Sequence, residues 1–222
     1  MQPLDRCVEA CHAAGAHLFV DATQGVGKLP LTSALRMADA YAIAGSKLSG
    51  PAGSGALVLR GAEVAPQVVG GGQESGRRGG SPGLAAAVGL GVACAALEGR
   101  LSAMERVGRL RDRLEAQLEG LGARVNGAEG PRVASVVNAS LADWRGDLLV
   151  AALDLEGLAC SSGAACSSGV SGGSAVLAAL YPDEPWRASH ALRLSLGPGT
   201  TEPEVARASA ILTKVIARSS AG

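Results

Sequence analysis

The sequence predicts an α/β protein followed by a small α+β domain, and three observations carry that expectation. Short apolar runs, "HLFVDA", "ADAYAIAG" and "GALVLR", alternate with helical and glycine-rich segments in the first hundred residues, the pattern of a sheet covered by helices. Two of these runs lead directly to a residue fit for chemistry, Asp21 and Lys47, and open α/β sheets gather their chemistry at the carboxyl ends of strands. Beyond residue 100 the pattern changes to one long charged helix, then short strands and helices. The boundary is therefore placed near residue 100, dividing 1–100 from 101–222.

Taken in order, residues 3–14 read as a helix stopped by Gly15. "HLFVDA" then reads as a buried parallel strand ending in Asp21. "ADAYAIAG" is a second strand leading into the loop "GSKLSGPAGSG", and "GALVLR" is a third. The stretch "GGGQESGRRGGSPG", residues 70–83, is a glycine-rich loop whose Ser81 and Pro82 look like the start of a helix. Residues 84–121 are helical in pattern, with a break expected near Gly99. "RVNGAEGPRVASVVNASL" reads as two strands joined by a turn, "DLLVAALDLEG" as a helix and "LRLSLG" as a strand. A closing helix spans 202–218, with Thr201 as its N-cap.

The totals exclude several classes of function. Hydrophobic residues make up 47% of the 222 but aromatic ones only 2%, so the core is built from Ala, Val and Leu. The 32 glycines follow no collagen period. Twenty basic residues balance twenty acidic ones without a long basic run, which argues against nucleic acid or an anionic membrane surface as the main partner. No apolar run reaches the roughly 18 residues of a membrane-spanning helix, and "MQPLDRCVEA" lacks the features of a signal peptide. Five cysteines without metal-ligand spacing fit a reducing compartment, and the protein is read as cytoplasmic. Cys7 and Cys11 stand four apart on the first helix, but a zinc site would need two further ligands that the sequence does not supply, so no metal is assigned.

Four segments carry the chemistry: "VDATQGVGK", "AGSKLSGPAGSG", "GGGQESGRRGGS" and "SSGAACSSG". Each alone reads equally as a strand cap, an exposed loop or a flexible turn. Their order and spacing resemble the pyridoxal-phosphate-dependent cysteine desulfurases of the class V aminotransferase family. The family's D-A-x-Q-x-x-G-K is matched by Asp21, Ala22, Gln24, Gly27 and Lys28, and its lysine loop by Ser46, Lys47, Gly50, Pro51, Gly53 and Gly55. Its G-G-Q-E loop runs here from Gly71 to Ser81, its cysteine loop over 161–166, and its "LRLSLG" over 192–197. Val125-Asn126-Gly127, Arg132 and Asn138 match a lesser feature of the same family.

The resemblance implies a fold-type-I, aspartate-aminotransferase-like chain: part of the large-domain sheet in 1–100, and the small domain with its cysteine loop in 101–222. It implies pyridoxal 5'-phosphate as cofactor, with Lys47 the amine that binds it covalently. Asp21 would face the pyridine nitrogen, Gln24 the phenolic oxygen, and Ser46 and Ser81 the phosphate, Ser81 across a dimer interface. Arg193 would clamp the substrate carboxylate. Cys166 would be the nucleophile that takes sulfur from L-cysteine, leaving L-alanine, and passes it to an acceptor or scaffold protein for iron–sulfur cluster or thiocofactor assembly. Cys7, Cys11, Cys94 and Cys160 stand in apolar or helical settings and read as packing residues. Ala44 and Ser46 replace the serine and histidine usual in the family, which thins the phosphate contacts. "MQPL" aligns inside the family's cofactor domain, so either the sequence is a fragment or a separate N-terminal segment supplies the rest; in the second case that segment joins the expected partners beside a second copy of the chain. A selenocysteine lyase or other class V enzyme, or a truncated non-catalytic interaction module, are the alternatives.

Overall fold

The structure, a computed structural model, describes residues 2–30, 33–163 and 173–218. Its contacts divide the chain into Met1–Ser102 and Ala103–Gly222.

In the first unit, α1 (Leu4–Ala13) precedes β1 (Phe19–Asp21), and α2 (Ser33–Met37) precedes β2 (Ala40–Ala44). β1 lies parallel to β2, and β2 is antiparallel to β3 (Gly55–Leu59), so the order is β1-β2-β3. Side chains alternate between the faces of a strand. Val20, Tyr41 and Ile43 therefore share one face, and they pack on a small core of Ala22, Val26, Leu35, Leu48 and Ala93. Phe19, Asp21 and Leu57 belong to the other face, and Phe19 and Leu57 remain 56% and 48% exposed. The expectation of a buried first strand is thus corrected: β1 is covered on the Val20 face only.

Two further readings are corrected here. Ser81 does not start a helix, because α3 (Leu84–Ala95) begins three residues later with Gly83 as its N-cap. Pro82 explains the delay, since a residue before proline is driven away from helical backbone. The helical run breaks at Ala96, not at Gly99, and α4 (Leu97–Gly120) starts immediately after it. At the break Leu97 turns into a space above Gly27, where an added Cβ would stand 3.1 Å from Leu97 Cδ2. Burial of Leu97 decides the position, and Gly99 is tolerated inside a helix at modest cost.

The second unit is an antiparallel sheet of order β4-β5-β7-β6, from Arg124–Val125, Val136–Ser140, Ala191–Ser195 and Ser161–Ser162. Val137, Ala139, Leu192 and Leu194 share one face, because Val137 pairs with Leu194 and Ala139 with Leu192. Against them pack Leu110, Leu114 and Leu118 of α4, Leu149 and Leu153 of α5 (Gly146–Leu155), and Val205, Leu212, Val215 and Ile216 of α7 (Glu202–Ile216). The leucines of α4 recur every fourth residue, the stripe of a helix buried along one side. Thr201 caps α7 in a reciprocal box: its Oγ1 accepts from Glu204 N–H while Glu204 Oε2 accepts from Thr201 N–H. A short α6 (Ala175–Leu180) follows Ser174, whose hydroxyl caps it.

Candidate functional site

Asp21 is the last residue of β1, and Lys47 ends the short 3-10 turn that follows β2. Because β1 and β2 are parallel neighbours, both residues stand at carboxyl ends on the same side of the sheet. Asp21 and Lys47 are both exposed. The Asp21 Oδ1 accepts from Thr23 N–H at 3.0 Å. Bonds from the Thr23 side chain and then its backbone hold the Asp21 carboxyl below the usual aspartate value, so it stays anionic at neutral pH.

Gln24 lies in the turn after β1, and its Oε1 accepts from Lys28 Nζ. This contact fixes the amide orientation and leaves the Gln24 –NH2 as a donor. Burial, followed by the like charges of Lys47 and Arg100, pushes the Lys28 ammonium below its usual value. The structure therefore brings Gln24, Lys28 and Lys47 to one end of the sheet, with Arg100 near by. Sequence reasoning missed Arg100. It lies on a helix rich in alternating charges, where a cation normally reads as solvated.

The glycines around Lys47 serve the backbone first. Gly45 N–H donates to Ser54 O at 2.8 Å, and Gly45 O accepts from Leu48 N–H at 2.9 Å and Gly50 N–H at 2.8 Å. A Cβ on Gly45 would stand 1.9 Å from Ser54 Oγ, and one on Gly55 would stand 2.8 Å from Ile43 O. Such distances are closed to any side chain. Ser46 is exposed beside the lysine. Ser81 is also exposed, and among the described residues no hydrogen bond joins it to Asp21, Gln24 or Lys47.

In the second unit Arg193 sits on β7 opposite Asn138 on one side and Ser161 on the other. Alternation places this row on the face away from the helical core. The half-buried Arg193 donates from one terminal nitrogen to Ser161 Oγ at 3.3 Å, and its Nε has no hydrogen-bond partner among the described residues. Asn138 is held in turn by Asn126, whose amide donates to its Oδ1 at 2.6 Å. Cys166 lies outside the described residues. Cys160 packs against the helical core, and burial, then Asp154, pushes its thiol up to about 11. A thiol so buried is a poor source of thiolate. Cys94 likewise packs on the core of the first unit.

Comparison with known proteins now bears on this arrangement. The profile of the family "Aminotransferase class-V" matches residues 1–208. A cysteine desulfurase of Klebsiella pneumoniae is 36% identical over 220 residues, covering 97% of this chain and 55% of its own. An IscS-like cysteine desulfurase of Mycobacterium tuberculosis is 39% identical over 212 residues, covering 92% of this chain and 53% of its own. A solved NifS-like protein superposes with a TM-score of 0.83 at 27% identity, over 99% of this chain and 57% of that one. The chain thus spans about half the length of the curated relatives it matches. Both cysteine desulfurases and class V aminotransferases are pyridoxal-phosphate-dependent families. With its profile match over nearly the whole length and its partial class V fold of one mixed and one antiparallel sheet, this chain belongs to the class V aminotransferase family.

Proposed function

We propose that this chain is the lysine- and cysteine-bearing part of a cysteine desulfurase that takes sulfur from L-cysteine and releases L-alanine. The observation that carries the reading is the placing of Asp21 and Lys47 at the carboxyl ends of adjacent parallel strands, with Gln24 oriented between them in sequence. In this reading residues 1–100 are part of the cofactor domain and 101–222 the small domain.

The donor set fits pyridoxal phosphate. It offers an anionic carboxylate, an amide whose oxygen is taken by Lys28 and whose N–H groups have no partner among the described residues, and an exposed primary amine at one sheet end. When bound, the cofactor supplies an electron sink for the substrate's α-carbon. Asp21 would keep a proton on the ring nitrogen, and Gln24 would donate to the phenolic oxygen. Lys47 would be the amine that holds the cofactor and would serve as the base for the substrate's α-proton. Ser46 and Ser81 would donate hydroxyl bonds to the phosphate. Arg193 orients the substrate through its carboxylate, with Ser161 steadying the guanidinium from one side. Cys166 takes the substrate sulfur as a persulfide, which a sulfur-acceptor protein then collects, and the assembly works as a homodimer.

Incubation with pyridoxal phosphate, borohydride reduction and peptide mass analysis test this reading. The cofactor should be trapped on Lys47 and lost in Lys47→Ala. Trapping on Lys28 or Lys214 instead would place the cofactor elsewhere and refute the assignment. For the second role, Cys166→Ser should keep the label on Lys47 and lose persulfide formation.

A further inference from the structure

The face of the second unit's sheet that looks away from the helical core carries a row of polar side chains. Asn126 N–H donates to Asn138 O at 2.8 Å, which continues the β4–β5 register by one pair. Asn138 and Ser161 both stand opposite Arg193. Residues paired in this way share a face, so Asn126, Asn138, Arg193 and Ser161 cross all four strands as one row. At the Asn126 end stands Arg187, only 7% exposed, with its guanidinium stacked 4.1 Å above the Tyr181 ring.

Hydrogen bonding fixes which way each amide of the row points. A guanidinium has donors and no acceptor, so the contact of Arg187 with Asn126 at 3.2 Å must meet the amide oxygen. The Asn126 Nδ2 is then turned to the other side, where it donates to Asn138 Oδ1 at 2.6 Å and to Ser140 Oγ at 2.9 Å. Ser140 in turn donates to Arg187 O at 3.0 Å, which closes the circuit and excludes the flipped amides. Asn138 has given its oxygen to Asn126, and its Nδ2 has no hydrogen-bond partner among the described residues. The neighbouring Arg193 spends one bond on Ser161, and its Nε has no partner among the described residues. An amide and a guanidinium with unspent donors thus stand side by side on paired strands.

We infer that Asn138 is a second donor to the carboxylate that Arg193 takes, and that Arg187 is the positioning residue that sets the Asn138 amide for it. That this carboxylate is the substrate's own rests on the proposed function; the donor pair itself does not. The guanidinium fork grips both oxygens of a carboxylate. A further N–H from the adjacent strand bonds a remaining lone pair and fixes where along the fork the group sits. With both amides flipped, Asn138 would turn its oxygen toward the ligand's oxygens and repel them. Arg187 touches no ligand and acts through Asn126. Its buried charge gains a reason, since a residue able to accept as well as donate would let both amides turn over.

The test titrates the full 222-residue chain, isotopically labelled on nitrogen, with sodium acetate against sodium chloride at equal ionic strength. In NMR spectra acetate should shift the Asn138 side-chain amide and the Arg193 Nε–H together and saturably, and chloride should shift neither. Asn138→Ala should weaken acetate binding about tenfold, the worth of one hydrogen bond to a charged partner. Asn138→Asp has nearly the same shape and should abolish binding, because its carboxylate would itself occupy Arg193. Arg187→Gln should also weaken binding, whereas Arg187→Lys, which can only donate to Asn126, should recover most of the loss even where thermal unfolding shows the two equally destabilised. That split separates positioning from mere support. Circular dichroism checks the fold of each variant, and the Asn138 variants decide the matter should those at Arg187 not fold. Acetate that shifts Arg193 alone, parental affinity in Asn138→Ala, or no response at either side chain would each overturn the inference. Equal affinity in folded Arg187→Lys and Arg187→Gln would remove Arg187 from it. Trapping on Lys47 is read separately, so acetate binding here without trapping there would refute the proposed function and leave the donor pair standing.

Discussion

Substitution of Gly45 by alanine tests whether the lysine turn is shaped by its own backbone contacts. The new Cβ would stand 1.9 Å from Ser54 Oγ, 3.2 Å from Ser54 Cβ and 3.2 Å from Pro51 O. The hydroxyl cannot swing away freely, because it donates to Pro51 O at 2.6 Å. Overpacking of this kind costs about 1–3 kcal/mol. The lost hydrogen bond adds about 0.5–1.5 kcal/mol. The turn should therefore lose about 2–4 kcal/mol, which corresponds to roughly 30- to 900-fold faster opening. Hydrogen exchange at Leu48 and Gly50 reads this directly, since both amides donate to Gly45 O. Ser54→Gly in the same chain removes both clashing atoms and should restore most of the protection relative to Ser54→Gly alone. Acceleration of less than about threefold, or no recovery in the double variant, would show that the turn accommodates a side chain by moving, and the reasoning from close approach would fail.

Two further outcomes follow from the same contacts. Thr201→Ala removes the hydroxyl half of the capping box on α7 and should destabilise the second unit by about 1 kcal/mol, measured by denaturant unfolding followed through Trp144 and Trp186; Thr201→Ser should behave like the parent. Asp39 accepts from Leu18 N–H at 2.7 Å and stands beside His12 and His17, which together hold its carboxyl at about 2 against an ordinary 3.8. Its folded value is depressed, so its contribution is fully present above pH 3.8 and lost as pH falls toward 2; Asp39→Asn should flatten the stability profile across that window in thermal unfolding scans, and an unchanged slope would remove Asp39 from the acid limb.

Legibility in the sequence followed the physics of each element. The runs around Val20, Tyr41 and Val58 were readable as strands because apolar residues bounded by glycine and acid leave few other choices. The T-x-x-E of Thr201 and Glu204 was readable because the box is local in sequence. β6 was not readable: Ser161 and Ser162 are polar, and only pairing with Arg193 and Leu192 makes them a strand. The break at Ala96 was misplaced to Gly99 because propensity is weaker than the burial of Leu97. Asp21 and Lys47 could be located from strand ends alone. The approach of Arg100 could not, since it arises where separate segments fold together, and the Lys28–Gln24 contact, although local, depends on the turn after β1 that the strand pattern does not specify.

The two units differ in how their shape is held, and this bears on why the lysine stands among such small residues. The second unit encloses its core with leucines from three helices and both faces of its strand pairing register are accounted for by burial or by the Asn138–Arg193–Ser161 row. The first unit buries a far smaller cluster and leaves apolar side chains exposed on α3 and on the Phe19 face of the sheet. Burial alone therefore gives little positional control over the loop after β2. Hydrogen bonds to Gly45 from both directions, and the approach of Gly55 to Ile43 O, supply that control through the backbone. Backbone contact at these distances requires the absence of side chains, so the glycines are demanded by the turn before any ligand arrives. Lys47 is then the exposed long side chain on a turn whose neighbours are committed to each other, Leu48 beside it being buried, and among the described residues no hydrogen bond or ion pair holds its amine.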